Sequence, residues 1–236
     1  FDLVISLPKL KTHVLTMMTG GIKNNFGAVP GVRKAEYHKR FPKVDDFSAL
    51  LVDIFSLVTP TVYLMDAILA MEGDGPSSGE PKKMGLVLAS TDAVALDAVG
   101  ADIMGFRPGQ IPTTKIAGER GLGIDDLSRI EIIGERLSEA RVKDFRTPSN
   151  KFWKLTPRFI VRLIEPYFWV RPAINQALCT NCNTCVENCP MKAISPDSEV
   201  PIYDYESCIN CLCCHELCPE RAVFLEKSWL ARRIGR

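Results

Sequence analysis

The sequence predicts two modules of different class: an α/β domain with a mostly parallel sheet over residues 1–140, and a small α+β domain over residues 173–226. Three observations carry this. Apolar strand-like runs alternate with helix-period segments through the first 140 residues, the pattern of strands joined by crossover helices. All nine cysteines fall after residue 178, and eight of them sit at ligand spacing. Charge also partitions: the cysteine module has a net charge of −6, between a basic, aromatic stretch (141–172, net +6) and a basic tail (227–236, net +4). The first of these reads as a linker. Apolar content of 46% and charged content of 24% are ordinary for a globular protein.

In chain order, residues 2–7 read as a buried strand ended by Pro8. Residues 9–43 are rich in glycine and basic residues and lack a clear period, so they read as a long irregular and functional stretch. Phe47, Leu50, Leu51, Ile54, Phe55 and Val58 give residues 46–58 one apolar helical face. Residues 61–66 form a strand with Asp66 at its end, and a glycine loop follows, with Asp74 in its turn. Residues 84–89 form another strand. Ser90, Thr91 or Asp92 caps a helix over 92–104, and Asp97 interrupts that helix, needing a partner if buried. A further helix covers 110–119 and stops at Gly121. Residues 129–134 alternate as a short strand.

The cysteines read C-x2-C-x2-C-x3-C-P twice: Cys179, Cys182, Cys185, Cys189-Pro190, then Cys208, Cys211, Cys214, Cys218-Pro219, 29 residues later. Clustered thiols without an extracellular framework read as metal ligands rather than disulfides. The run is that of bacterial ferredoxins, in which three cysteines of one loop and the fourth of the other hold each cubane. The implied sets are Cys179, Cys182, Cys185 and Cys218 for one 4Fe-4S cluster, and Cys208, Cys211, Cys214 and Cys189 for a second. Residues 173–226 thus resemble the two-cluster ferredoxin fold. Cys213 aligns with Thr184 and reads as a small buried residue, with replacement of Cys214 as the alternative. Tyr203 and Tyr205 are candidates to cover a cluster, or ordinary core. His215 reads as a surface or hydrogen-bonding residue.

The first domain resembles the domain-of-unknown-function 362 family. The resemblance is carried by Leu7-Pro8-Lys9-Leu10-Lys11-Thr12-His13, Thr19-Gly20-Gly21-Ile22-Lys23-Asn24-Asn25-Phe26-Gly27, Pro30-Gly31 and His38. It continues through Asp66-Ala67, Gly73-Asp74-Gly75-Pro76, Asp92, Ala95-Leu96-Asp97-Ala98 and Gly121-Leu122-Gly123. Members have further sequence upstream, so a chain opening on Phe1 is expected to be truncated. The family label implies no reaction. From the residues, Lys9, Lys11, Gly21, Lys23 and Asn24 form a candidate site for an anionic small molecule. His13, Lys23, His38 and Asp66 are the catalytic candidates, and two histidines with a carboxylate are a plausible ligand set for an additional metal. Gly21, Lys23, Pro30-Gly31 and His38 also resemble the nickel-pincer lactate racemase family, which implies a non-redox, metal-dependent alternative.

The sequence lacks a P-loop and a G-x-G-x-x-G run, and no motif supports nucleic-acid binding. The expected protein is a cytoplasmic iron–sulfur oxidoreductase or redox accessory protein of an anaerobe, with a protein redox partner or a small-molecule substrate. One rival is an electron-transfer subunit whose α/β domain only docks a partner. Residues 145–172 and 227–236 offer aromatic and basic side chains for a peripheral membrane or partner contact.

Overall fold

The computed structural model describes residues 2–41, 43–58, 60–76, 79–148 and 169–234. The chain divides into two compact units, Phe1–Pro30 with Lys43–Thr147, and Gly31–Pro42 with Pro148–Arg236.

The first unit is α/β, as its alternating pattern requires. Its sheet is centred on β4 (Val62–Glu72), whose residues alternate between a buried and a more open face. Along one edge of β4 run β1 (Ile5–Ser6) and β2 (Lys9–His13), both parallel to it. They are one strand interrupted at Pro8, which has no N–H to give the ladder, while its carbonyl accepts from Asp66 N at 2.9 Å. Antiparallel strands complete the sheet: β3 (Met17–Thr19) pairs β2, and β5 (Glu80–Ser90) pairs the other edge of β4. The parallel element lies at the centre, and hairpin partners extend the sheet on both sides.

The buried face is covered by helices α1 (Gly21–Asn24), α3 (Val44–Val58), α4 (Ala93–Ile103) and α5 (Pro112–Glu119). Phe47, Leu51 and Phe55 of α3 are the buried subset of the face read from the sequence, and Val52, outside that face, is buried with them. With Leu10, Met18, Ile22, Tyr63, Met65 and Met104 they form the core; each fully buried large side chain contributes about 1.5–3 kcal/mol. Asp92 is the cap of α4, accepting from Val94 N at 2.8 Å and Ala95 N at 3.0 Å. Its second oxygen takes Ile124 N at 2.9 Å, which ties the following loop to the helix.

Three expectations change. Residues 9–43 are not irregular: they hold β2, β3, α1, a 3-10 turn (Asn25–Ala28) and α2 (Gly31–Arg40). The run 2–7 is not a buried strand, because only Ile5–Ser6 pairs and Leu3, Val4, Ile5 and Leu7 are exposed. Residues 129–134 form no strand; a 3-10 turn covers Leu127–Arg129, and Ile133 is 88% exposed.

In the second unit, β6 (Val170–Ile174) pairs antiparallel with β9 (Val223–Lys227), and β7 (Ile194–Ser195) with β8 (Ile202–Tyr203). Two short helices, Thr184–Glu187 and Cys213–Leu217, follow the cysteine loops. This is the small α+β arrangement expected for the cysteine module. Of the basic, aromatic stretch, residues 149–168 lie outside the described residues.

Candidate functional site

In the α/β domain the glycine pair Gly20-Gly21 is shaped by an internal anion. Asp97, 1% exposed on α4, accepts Gly21 N at 2.6 Å and Ile22 N at 3.1 Å, so its carboxylate caps α1. A Cβ at residue 20 would overlap Asp97 Oδ1 and Oδ2, so glycine is needed there for close approach. Burial pushes the Asp97 carboxyl up to about 7, although the two amides oppose that. Asp97 thus has the partner that the sequence required of it.

Lys9, Asp66 and His13 have local partners. Lys9 Nζ lies 2.7 Å from Asp66 Oδ2, and Asp66 Oδ1 accepts Ile68 N at 2.9 Å. Asp66 therefore holds an irregularity in the β4–β5 ladder between Ala67 and Leu69. The Lys9 ammonium, then the Ile68 amide, hold its carboxyl below the usual value. It does not end its strand, since β4 continues to Glu72. His13 is buried, and its Nδ1 accepts Leu15 N at 3.1 Å and Thr16 N at 3.3 Å, closing the β2–β3 turn. Lys9 is the register partner of Asp66, and His13 lies four residues further along β2, about 13 Å at 3.3 Å per residue. The structure does not bring His13 and Asp66 together.

Asn24 Nδ2 donates to Ser6 Oγ at 2.9 Å, and Lys23 Nζ lies 5.9 Å from the Phe26 ring centre. Lys11 is half-buried in β2, and His38 is buried in α2 of the second unit. Asp97, the organising residue, was legible only as a buried acid in need of a partner. Nothing local identifies Gly21 and Ile22, 76 and 75 residues away, as that partner.

In the cysteine module the loops set the ligands. Asn181 and Asn183 take positive φ (53° and 58°), and Asn210 and Leu212 do so in the second loop (51° and 63°). One cavity is lined by Cys179, Cys182, Cys185 and Cys218, closed by Ile174 and Val223. Three sulfurs from the first loop thus meet the fourth of the second. On the other side, Cys208 is within electrostatic reach of Cys211 and of Cys189, and Cys214 of Cys211 and Cys208. The amides of Ala193 and Ala222 each donate to a fourth cysteine, Cys189 Sγ and Cys218 Sγ, at 3.2 Å.

Among the described residues no three His, Cys, Asp or Glu side chains could hold a single metal ion. A cubane asks for a wider spread, because its irons and sulfides lie between the thiolates. The donor set fits such a cluster: thiolates suit iron–sulfur chemistry, and the lining between them is apolar. Burial raises the thiols of Cys185 and Cys208, and that of Cys214 to about 12. Thiolates at those positions therefore need a bound cation, which a cluster supplies when present.

Two further features surround the cysteines. Tyr203 and Tyr205 stack with ring centres 5.7 Å apart and 7° between planes. The Arg171 guanidinium lies 4.0 Å from the ring centres of both Tyr205 and Trp169, and bonds Glu226 at 2.8 Å. Tyr203 packs against the buried cluster that holds Cys185 and Cys214. His215 is buried rather than at the surface.

A fold of this kind with this donor set defines an iron–sulfur protein. The comparisons with known proteins agree. Residues 1–102 match the model of a domain of unknown function (DUF362), and residues 171–219 match that of a 4Fe-4S dicluster domain. The chain is thus a fusion of a DUF362 domain with a 4Fe-4S dicluster domain. It is also similar to the thylakoid-associated protein sll1697 of Synechocystis sp. (strain ATCC 27184 / PCC 6803 / Kazusa), 43% identical over 125 residues. That stretch is 52% of this chain and 38% of the relative, so the chain spans well under two thirds of the relative's length. No helix among the described residues is long and apolar enough to cross a membrane.

Proposed function

We propose that the protein is an electron-transfer protein with two 4Fe-4S clusters. Cys179, Cys182, Cys185 and Cys218 hold the first, and Cys208, Cys211, Cys214 and Cys189 hold the second. The observation that carries this reading is the cavity lined by Cys179, Cys182, Cys185 and the distant Cys218. Crossed ligation makes each cluster a bolt between the two halves, so both sit in one small fold at short range. Electrons then pass from one cluster to the other and on to a partner. Reduced thiols of this kind suit a reducing compartment such as the cytoplasm.

In this reading the α/β domain docks the redox partner. This is favoured by the internal use of its glycine turn: Asp97 holds the Gly21 and Ile22 amides that the sequence offers to an external anion. The name of the Synechocystis relative adds a peripheral membrane location to the settings in which such a partner is to be sought.

The test is a reductive titration of the full chain after anaerobic reconstitution with iron and sulfide. About two electrons per chain, one per cluster, should be taken up and returned reversibly, with electron paramagnetic resonance signals of reduced cubanes. A chain that binds iron but takes up no electrons reversibly would make the clusters structural and overturn the proposal.

A further inference from the structure

The two halves of the cysteine module repeat in backbone as well as in sequence, which makes their differences readable. Left-handed residues recur 29 positions apart: Asn181 and Asn210, Asn183 and Leu212, Lys192 and Arg221. The fourth cysteine of each half accepts the same amide bond at the same length. The strand pairs obey the same relation, Ile174 facing Val223 and Tyr203 facing Ile194. Tyr203 therefore occupies in the second half the place that Ile174 occupies in the first, and Cys213 occupies that of Thr184.

The second exchange preserves a function. Thr184 Oγ1 lies 3.3 Å from Cys182 Sγ, and it is the donor once Cys182 is a thiolate. Cys213, buried at the matching position, lies beside Cys211, so both halves place a thiol or hydroxyl next to the middle ligand of their loop.

The first exchange does not preserve one. Ile174 offers no hydrogen to its cluster. The Tyr203 hydroxyl is buried without a hydrogen-bond partner of ordinary geometry, and the polar group it meets is the sulfur of Cys214. A protonated thiol is a poor acceptor and a thiolate a good one, so this hydroxyl gains its partner when Cys214 ligates iron. The ring is held for that bond, stacked on Tyr205, whose own hydroxyl donates to Pro172 O at 3.0 Å. Cys185 and Cys214, the equivalent ligands, are 9% and 8% exposed, so burial does not distinguish them. The hydroxyl does.

Building on the two-cluster reading, we propose that Tyr203 is a positioning residue that donates a hydrogen bond to Cys214 Sγ and sets the second cluster at a higher reduction potential than the first. A hydrogen bond to a ligand sulfur draws charge from the cluster and favours its reduced, more negative state. With no counterpart at Ile174, the bond gives electron flow within the module a direction, from the first cluster to the second.

The experiment is film voltammetry of the full chain reconstituted anaerobically, with iron counted on the same samples. The wild type should hold about eight irons, four per cluster, and give two resolved one-electron waves. Tyr203→Phe should keep that iron and move only the more positive wave to lower potential, closing the gap. Coincident waves in the wild type, or unmoved waves in a fully loaded Tyr203→Phe, would overturn the proposal and leave the two-cluster reading standing. A Tyr203→Phe variant that loses iron would assign the residue to cluster assembly and also overturn it. About four irons in the wild type would remove the two-cluster reading itself, and the proposal with it.

Discussion

Gly20→Ala tests whether Asp97 organises the α/β domain. Gly20 has φ −146° and ψ −150°, an extended conformation open to any residue, so backbone strain contributes nothing. The whole cost comes from the new methyl group, which would overlap both carboxylate oxygens of Asp97. Asp97 is buried and cannot step aside into solvent, so it must release Gly21 N, Ile22 N or both. At about pH 8, above the raised carboxyl, Asp97 is ionised; a hydrogen bond to a charged acceptor contributes about 1.5–3 kcal/mol, and a buried acceptor left unpaired costs a similar amount. The expected loss is about 3 kcal/mol, read by urea unfolding followed by circular dichroism. Gly27→Ala is the control, because no atom lies within 4 Å of its added Cβ; it should stay within about 0.5 kcal/mol of wild type. Equal stabilities for the two variants would refute the role given to Asp97.

Other outcomes follow from the same geometry. The folded Asp97 carboxyl titrates near 7 against 3.8 in the unfolded chain, so between these values only the folded state holds the proton. Stability from this group therefore rises as pH falls through that window; relative to Asp97→Asn, wild type should gain stability from about pH 8 to about pH 5, and a constant difference would contradict the shift. Cys213→Ala should retain all its iron after reconstitution, since the doubled cysteine run supplies eight ligands without it; loss of about half, one cluster's worth, would make it a ligand. Asp102, 8% exposed, accepts Arg141 Nε at 2.6 Å and Nη2 at 2.7 Å. Asp102→Ala should cost about 1–3 kcal/mol by urea unfolding, and a loss below about 0.5 kcal/mol would place this pair with ordinary surface ion pairs.

The sequence was legible where one local pattern decides the outcome. The three-and-four spacing of apolar residues located α3, and Asp92 announced the start of α4. The doubled cysteine run, with a proline after each fourth cysteine, identified the iron–sulfur module. The sequence was illegible where distant groups decide. β3 and α1 are three and four residues long, too short for a period to show, and α1 is capped from 75 residues away. Pro8 hid the continuity of β1 and β2, and the antiparallel edges follow from hairpins that no strand reveals alone. Lys9, His13 and Asp66 carry the residue types of a site, yet each has a structural partner within its own sheet or turn. Tyr203 reads from the sequence only as a residue that covers a cluster or packs in the core. Its difference from Ile174 needed the strand pairing that makes the two positions equivalent.

The central claim is that eight cysteines hold two cubanes with crossed fourth ligands. Iron and acid-labile sulfide counts on the anaerobically reconstituted full chain test it most directly, in wild type and in Cys218→Ala. The account predicts about eight of each in wild type. In Cys218→Ala it predicts loss of the cluster held by Cys179, Cys182 and Cys185, leaving about four. A wild-type count near four, or a Cys218→Ala count that stays at eight, would contradict it.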